Sequence, residues 1–284
     1  MNIQSRNRQP SGTPTGGQFT TGARTEPDVA LTTATQVVPR VPPRPANLVV
    51  RTQGELDKAL EQHGSDPKRT IVINSPPGVW LAVQATGNAT VRATDHATVR
   101  VFGSATVQAY ENATVTAYEH ATVEAYDHAR VHATGNATVR ATASAYIRAY
   151  ENVTVMAFDR ANVRVFDHAT VTAYENATVE AFDHATVRAF ENVTVQATGS
   201  ASVRASVEAT VMAFENATVE AYENASVQAY GNASVFASGS ASVQATGSVS
   251  EHVTVDAYEQ ATVRATGSVT VHVHSAQANL QVRP

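Results

Sequence analysis

The sequence predicts an all-β chain folded as a parallel β-solenoid, and three observations lead to this fold class: a short repeat, an alternating polarity and regular turn residues. One eight-residue phrase, typified by Ala-Thr-Val-Thr-Ala-Tyr-Glu-His at residues 113–120, recurs from about Leu81 to Ala276. A unit this short buries its apolar side only by stacking on its neighbours. We therefore expect a solenoid of octapeptide repeats, counted from a first octad at Leu81.

Within an octad, the first, third and fifth positions are Ala, Val and Ala with few exceptions, and the second and fourth are polar. This alternation is typical of a strand with one buried face. The seventh and eighth positions hold pairs such as Glu-Asn, Asp-His or Gly-Ser, which are turn residues because they tolerate positive φ or bond to nearby backbone. Each octad therefore predicts one strand and one corner.

The number of octads in one coil follows from the small size of the predicted core. A three-sided coil would enclose a wide lumen that one Val and two Ala per side fill poorly at normal packing density. Two octads per coil fit better, and would give about 12 coils and a rod of roughly 55 Å at ~4.7 Å per coil. The three-sided form, with about 8 coils and roughly 38 Å, stays open at this point, as does the handedness.

Four segments follow from the change in composition along the chain. Residues 1–45 are rich in Gly and Pro and predict a disordered leader. Residues 46–78 predict a β-α-β cap, residues 79–276 the solenoid, and residues 277–284 a C-terminal tail. Within the leader, Gly-Thr-Pro-Thr-Gly-Gly-Gln-Phe at residues 12–19 resembles a short motif of actinobacterial and phage-encoded proteins.

The predicted cap has its own local signals. Leu48–Val50 and Thr70–Ile73 read as strands, and Thr52 followed by Glu55 forms a capping-box pattern at the start of a helix. Leu56, Ala59 and Leu60 fall on one face of that helix, and Gly64 is a suitable end. We expect this piece to cover the first coil of the solenoid, with Trp80 and Leu81 at the junction.

Composition limits the possible functions. The chain has no Cys, so thiolate metal sites and disulfides are excluded. No apolar run is long enough for a membrane span, and no export signal is evident, so we expect a cytoplasmic protein without a membrane partner. Residues 81–284 carry eleven Arg against nineteen Asp and Glu, which makes nucleic acid an unfavourable partner.

The sixth position of the octad is aromatic in many repeats and usually precedes an acidic residue. Stacked at the coil spacing, these rings would form ladders along the edges, which either stabilise the thin core or present an interaction surface. The candidate interaction residues are Tyr110, Tyr118, Tyr126, Tyr150, Phe158, Phe166, Tyr174, Phe182, Phe190, Phe214, Tyr222 and Tyr230.

The candidates for chemistry are weak. With 16 residues per coil, Asp167 and His168 would stack on Asp183 and His184, so these four residues are the best available metal site, although His alternates with Asn here as an ordinary turn residue. We expect no metal, no cofactor, no small-molecule substrate and no catalytic residue. The clear interruption of the repeat, Val249 to His252, predicts a bulged loop.

The repeat resembles the Ala-Thr-Val-x-Ala octapeptide β-solenoids of bacterial and phage-encoded proteins, in which such segments look like stalks or scaffolds. That resemblance implies the fold and no activity. The sequence therefore predicts a non-enzymatic structural or protein-interaction scaffold that binds a protein partner or a second copy. Two alternatives are an ice-binding protein that uses its Thr and Ser ranks and an acidic DNA mimic.

Overall fold

A computed structural model describes residues 47–64, 66, 69–84 and 90–283 of the chain. The chain divides into two compact units, Met1–Pro43 and Arg44–Pro284, and the described residues belong to the second. The leader predicted at residues 1–45 lies outside the described residues.

One helix and 27 strands make up the described chain. The helix α1 spans Gln53–His63. The strands are β1 (Leu48–Val50), β2 (Thr70–Ile73), β3 (Trp80–Val83), β4 (Thr90–Ala93), β5 (Thr98–Val101), β6 (Thr106–Ala109), β7 (Thr114–Ala117), β8 (Thr122–Ala125), β9 (Arg130–Ala133), β10 (Thr138–Ala141), β11 (Tyr146–Ala149), β12 (Thr154–Ala157), β13 (Asn162–Val165), β14 (Thr170–Ala173), β15 (Thr178–Ala181), β16 (Thr186–Ala189), β17 (Thr194–Ala197), β18 (Ser202–Ala205), β19 (Thr210–Ala213), β20 (Thr218–Ala221), β21 (Ser226–Ala229), β22 (Ser234–Ala237), β23 (Ser242–Gly247), β24 (Val253–Ala257), β25 (Thr262–Gly267), β26 (Val269–Val273) and β27 (Asn279–Arg283).

The strands form two parallel sheets. Sheet A has 14 strands, β1, β2 and the even-numbered strands from β4 to β26, and sheet B has 13, the odd-numbered strands from β3 to β27. Successive octads therefore alternate between the sheets, which confirms the coil of two octads. Residues 16 apart are neighbours, as in the pairing of Thr154 with Thr170. At ~4.8 Å between strands, sheet A is about 62 Å long.

The core is a single layer between the sheets. In the octad that contains β14, Ala169, Val171 and Ala173 are all 0% exposed, and the same first, third and fifth positions are buried along the regular coils. Small side chains suit this place because two sheets that face each other across every coil leave room for only one thin layer. The repeated Ala-Val-Ala pattern therefore sets the thickness of the solenoid.

The N-terminal residues extend one sheet and cover the other. β1 pairs with β2 and β2 pairs with β4, so both strands prolong sheet A. The helix α1 packs against β1, β2 and β3, with Leu56 and Ala59 buried and the capping box of Thr52 and Glu55 formed as predicted. Gly64 follows the helix in a right-handed conformation, φ −60°, so its freedom to adopt positive φ is not used.

The outer edge of sheet B is closed by a side chain. Ala82 lies in β3, the outermost strand, and its backbone N–H donates to Gln53 Oε1 at 2.7 Å. The Gln53 Nε2 group donates to the Ala82 carbonyl oxygen at 3.0 Å. One amide of α1 thus supplies the donor and the acceptor that a further strand would have offered, which protects this edge from pairing.

Two predictions need correction: the position of Leu81 within its octad, and the assignment of the last residues to a tail. Leu81 pairs with Val99, which occupies the third position of its octad, so Leu81 is not the first residue of an octad and the regular frame begins at Ala89. The reason is that Leu81 fills the end of the core, 1% exposed, while Trp80 takes the outward position. Residues 279–283, assigned to a tail, form β27 and pair with β25.

The interruption at Val249 to His252 is a loop, as predicted. β22 pairs with β24 and β23 pairs with β25 across 20 residues instead of 16, so the four extra residues leave the core register unchanged. Val249 is fully exposed, and the His252 ring contacts Ser268 and Thr270 of the next coil. The inserted half-octad is therefore a bulge held against its neighbour.

Removing the amide of Gln53 should open the edge of sheet B. In Gln53→Ala, the Ala82 N–H loses its acceptor, and we expect its hydrogen exchange to become about tenfold faster, because one hydrogen bond contributes about 0.5 to 1.5 kcal/mol. NMR exchange measurements on Ala82 check this. Glu61→Ala, an exposed change on the same helix, is the control, and equal exchange rates in both variants would contradict the role of Gln53.

Candidate interaction surfaces along the corners

Each coil has two corners, which we name by the sheets they connect. The A–B corner follows a sheet A strand and the B–A corner follows a sheet B strand. In the B–A corner at Tyr118, Glu119 and His120, the Ala121 N–H donates to the Tyr118 carbonyl at 3.1 Å, and Glu119 has φ 56°. The sixth residue thus opens a tight turn whose seventh residue is left-handed.

Stacking satisfies most of the backbone of a corner. The Tyr118 N–H donates to the Val101 carbonyl at 3.0 Å, and the His120 N–H donates to the Gly103 carbonyl at 3.1 Å, both in the preceding coil. The N–H of the seventh residue finds no such carbonyl, because the left-handed turn directs it away from the ladder. This is the one corner donor that needs a side chain.

The acidic residue of the next coil supplies that acceptor. The N–H of Gly103 donates to Glu119 Oε2 at 3.1 Å, and the N–H of Glu151 donates to Asp167 Oδ2 at 3.0 Å. Other acidic residues that accept in this way are Glu111, Asp127, Glu151, Asp159, Glu175, Glu215 and Glu259. In the sequence these carboxylates look like ordinary turn residues, because the bond joins residues one coil apart.

Glycine is the commonest alternative to an acid at the seventh position, and Ala143 and Val207 also occupy it, at φ 56° and 65°. Gly231 has φ 70°, and a Cβ there would lie 2.7 Å from the Glu215 backbone nitrogen. The acidic residues sit at φ of 52 to 62°, where a side chain is accommodated and can reach back. An acidic residue at the seventh position can therefore accept a hydrogen bond from the preceding coil, whereas a glycine there packs closely against the backbone of that coil.

The predicted aromatic residues lie at the corners and stack in short runs. On the A–B corner, Tyr110 stacks on Tyr126 with 4.7 Å between ring centroids, and Phe158, Tyr174 and Phe190 follow at 5.2 Å. On the B–A corner the runs are Phe102–Tyr118, Tyr150–Phe166–Phe182 and Phe214–Tyr230. Tyr222 instead meets Phe236 of sheet A.

All twelve predicted aromatic residues are half-buried. Each ring covers the edge of the core with one side and contacts an aromatic ring on one or both adjacent coils, so part of its face is already occupied. Parallel offset rings stabilise by about 0.5 to 1.5 kcal/mol per pair beyond the area they bury. The geometry therefore favours the stabilising ladder over a protruding aromatic strip.

The four residues of the metal hypothesis do come together on the B–A corner. The rings of His168 and His184 are stacked with centroids 5.4 Å apart, and Asp167 and Asp183 belong to the same open depression. Asp167 already accepts the Glu151 N–H. Within the described ranges, no three His, Cys, Asp or Glu side chains converge in a set that could hold a metal ion.

The flat faces carry two outward ranks. On sheet A the second position is Thr or Ser in every strand from β4 to β26, which gives an unbroken hydroxyl rank. Beside it, Arg92 donates to Gln108 at 3.4 Å and Gln108 donates to Glu124 at 2.9 Å. Long charged side chains thus stand next to the Thr rank and prevent the flat, uniform surface that ice binding would use.

The last coil is joined to its neighbour by a charged group. Asp256 Oδ1 lies 3.1 Å from His272 Nδ1 and 3.0 Å from His274 Nε2. These hydrogen bonds, led by that of His274, hold the pKa of Asp256 below its ordinary value of 3.8. Asp256 in β24 therefore clamps β26 and the residue that follows it.

No protein-family model, curated protein or solved structure matches the chain. Among the described residues, no helix has the length and apolarity needed to cross a membrane.

Replacing Glu151 should separate the two properties of the seventh position. Glu151→Gln keeps an acceptor for the Gly135 N–H, which now donates at 3.0 Å, so we expect little change. Glu151→Gly and Glu151→Ala remove it, and the Gly135 amide should exchange about tenfold faster in both, for a loss of about 1 kcal/mol. Only the Gly variant relieves the left-handed strain, about 1 kcal/mol or more, that Glu, Gln and Ala all carry at this position.

Thermal unfolding midpoints and NMR exchange of Gly135 together check this order. Wild type and Gln should be alike, Ala should be lowest, and Gly should lie above Ala and close to wild type. An Ala variant as stable as the Gly variant would show that the left-handed turn costs nothing at this corner, and unchanged exchange would show that the carboxylate does not protect the N–H.

Acid should release the clamp on the last coil. Because the pKa of Asp256 is lowered in the folded chain, its contribution is present above the unfolded value and is lost as pH falls through the folded value. Wild type should therefore unfold at a higher temperature than Asp256→Asn near pH 5, and the gap should close on acidification. Glu208→Gln, an exposed carboxylate without a clamp, should show no such gap, and a gap that widens in acid would refute the clamp.

Proposed function

We propose that this chain is a non-enzymatic rigid scaffold, a rod whose faces and corners hold binding surfaces at fixed spacing and whose open end joins a second copy. The observation that carries the proposal is the unbroken stacking of the two sheets, in which the corner carboxylates complete the backbone hydrogen bonding. Such a particle resists bending because every coil is bonded to the next along both sheets.

The arrangement of the carboxylates supports the non-enzymatic part of the proposal. An active site usually gathers acids, bases or nucleophiles at one place. Here the corner carboxylates are distributed along the rod, with at most one at the seventh position of a corner, and nine of the bonds they accept come from backbone N–H groups. Their chemistry is used to hold the coil.

The two ends of the solenoid differ, and this difference supports pairing. At the N-terminal end, α1 and the Gln53 amide close the edge of sheet B. At the other end β26 and β27 are the outermost strands, and the inward-facing side chains Val273, Leu280 and Val282 are 44%, 40% and 65% exposed. Unpaired edges next to apolar side chains favour strand pairing with another chain.

A rod that has a single open end of this kind forms pairs through that end. Two β26–β27 ends can meet about a twofold axis and satisfy the edges of β26 and β27 in both copies. The role as a scaffold for a foreign protein partner and the cytoplasmic location remain predictions from the sequence. The ice-binding and DNA-mimic alternatives gain no supporting contact from the faces described above.

Charges placed on the open end should prevent pairing. We expect Leu280→Lys with Val282→Lys to weaken association at least tenfold, since two ammonium groups would be buried at the interface. Analytical ultracentrifugation over a concentration series measures the constant, and small-angle X-ray scattering should show that the wild-type pair has about twice the maximum dimension at an unchanged cross-section.

Val249→Lys is the matched control, because Val249 is apolar and fully exposed on the inserted loop. If the wild type stays monomeric and gives a rod-like scattering profile, the pairing proposal is wrong and the scaffold proposal is retained. A compact, non-rod profile would contradict the scaffold itself.

A further inference from the structure

Sheet B departs from the repeat at one place. From β4 to β25, the outward second position is Thr or Ser in every strand except three, where it is Arg130, Tyr146 and Asn162. These exceptions are 16 residues apart in sequence. They belong to β9, β11 and β13, which are consecutive strands of sheet B, so three separate irregularities meet on one surface.

The neighbouring rank of the same strands is also unusual. Tyr146 pairs with Arg130 on one side and Asn162 on the other, and the fourth positions beside them are His132, Arg148 and Arg164. We call these six side chains, Arg130, His132, Tyr146, Arg148, Asn162 and Arg164, the basic patch. It places three guanidinium groups on three adjacent strands of a solenoid that is otherwise rich in acid.

Two of the three guanidinium groups lack a carboxylate partner. Arg164 is paired with Glu180, with Nε 2.9 Å from Oε2 and Nη2 donating to Oε1 at 3.1 Å. The Arg148 Nε group instead donates to the Tyr146 hydroxyl at 3.1 Å. In the described part of the chain no carboxylate lies within ion-pair distance of Arg130 or Arg148, and both are exposed. The Tyr146 hydroxyl therefore positions Arg148, whose positive charge is not neutralised by a carboxylate.

The side chains around Arg148 show the same excess of positive charge. The His132 ring contacts Tyr150 at 4.9 Å between centroids. Partial burial, and then the charge of Arg148, lower the pKa of His132. An anion placed over Arg148 would relieve this repulsion.

A surface of opposite character runs along the A–B corner. Asp159, Glu175 and Glu191 occupy the seventh position on three consecutive coils, and we call them the acidic ridge. Glu175 Oε2 accepts the Asp159 N–H at 3.1 Å, and the nearness of the Asp159 side chain, partial desolvation and the charges of Asp159 and Glu191 raise the pKa of Glu175. The ridge is thus a stack of carboxylates that repel one another. Among the described residues none of the three forms an ion pair, and Arg160 is the basic residue that follows Asp159 in the same corner.

The patch and the ridge share one spacing. Both repeat once per coil, at ~4.8 Å, because the same hydrogen-bonded stacking generates them. Three acids on consecutive coils therefore match three strands that carry arginine on consecutive coils. Arg148 and Arg164 lie in one rank at this spacing and Arg130 lies in the neighbouring rank. Guanidinium groups bind carboxylates in a planar fork, which adds geometric fit to the attraction of charge.

The width of the patch selects a narrow partner. Glu151 and Asp167 lie at the B–A corner directly after β11 and β13, and Asp159 lies at the A–B corner before β13. A broad polyanion such as duplex DNA would meet these acidic margins. A corner of a second rod is a ridge only two residues wide. It can therefore contact the middle of the basic patch without contacting both acidic margins.

We propose that the basic patch of one copy binds the acidic ridge of a second copy, so that rods associate side by side. This inference rests on the proposed scaffold function and adds a lateral contact to the end-to-end contact. Each copy carries one patch and one ridge, so the contact is heterologous and can continue from rod to rod.

Charge exchange between two variants tests the contact. All proteins carry Leu280→Lys and Val282→Lys, which removes end pairing. Arg130→Glu with Arg148→Glu reverses the patch, and Glu175→Lys with Glu191→Lys reverses the ridge. Each pair alone should weaken association at least tenfold, whereas a mixture of the two should regain it. In the mixture the native patch of the ridge variant faces the native ridge of the patch variant, and the reversed patch faces the reversed ridge.

The control pairs change charge by the same amount elsewhere. Arg188→Glu with Arg264→Glu reverses two exposed arginines outside the patch. Glu119→Lys with Glu215→Lys alters two left-handed corner acids that also cap a backbone N–H, which controls for the loss of that bond. Both control pairs should associate like the parent, and circular dichroism confirms that all variants fold.

Sedimentation with fluorescently labelled partners measures these constants at low and high salt. The contact should weaken with salt, unlike the apolar end contact, and scattering should show a thicker cross-section at constant length. Failure of the mixture to recover overturns the proposal. The proposal is also overturned if the parent is monomeric, its patch binds a single-stranded oligonucleotide, and Arg130→Glu with Arg148→Glu abolishes that binding. A monomeric rod would still leave the scaffold in place.

Discussion

The thin interior between the two sheets is the constraint on which the rest of this structure depends. Only a layer of Ala, Val and Ala fits there, and each coil contributes little apolar area of its own. Stability must therefore come from the stacking of many equal coils, because a single coil cannot exclude water from its core. This explains why the first, third and fifth positions hold almost only Ala and Val, with Ile147 as a larger residue within the regular coils and Leu81 at the end, where the layer meets the cap.

The corner imposes a second constraint that follows from the first. To return across so thin a core, the chain must turn within three residues, and the tight turn puts the seventh residue in the left-handed region. That conformation leaves one N–H without a backbone acceptor. Glu or Asp from the next coil accepts it, as Glu119 does for Gly103, which offsets the cost of a non-glycine residue at positive φ. Most of the negative charge of the solenoid is therefore placed by folding.

The sequence predicted the elements whose signals are local. Alternation within the octad, the turn residues and the capping box of Thr52 and Glu55 all act within a few residues, and the size of Ala and Val was enough to choose two sides. The register of Leu81, the strand β27 and the carboxylate bonds were missed for one reason. Each depends on which residue lies one coil away, and a pattern of eight does not state which of its units are neighbours.

The same reasoning explains why the basic patch was not evident in the sequence. Arg130, Tyr146 and Asn162 are single departures from a Thr rank, each surrounded by regular octads, so none is unusual by itself. The inserted loop at Val249 to His252 is a much larger departure, yet it forms a bulge that leaves the core unchanged. With two octads in a coil, substitutions that are 16 residues apart in sequence lie on adjacent strands of the same sheet. In a solenoid of this kind, a specific surface is therefore recognised by small exceptions that recur at the coil period, and a large exception that occurs once reflects only the local path of the chain.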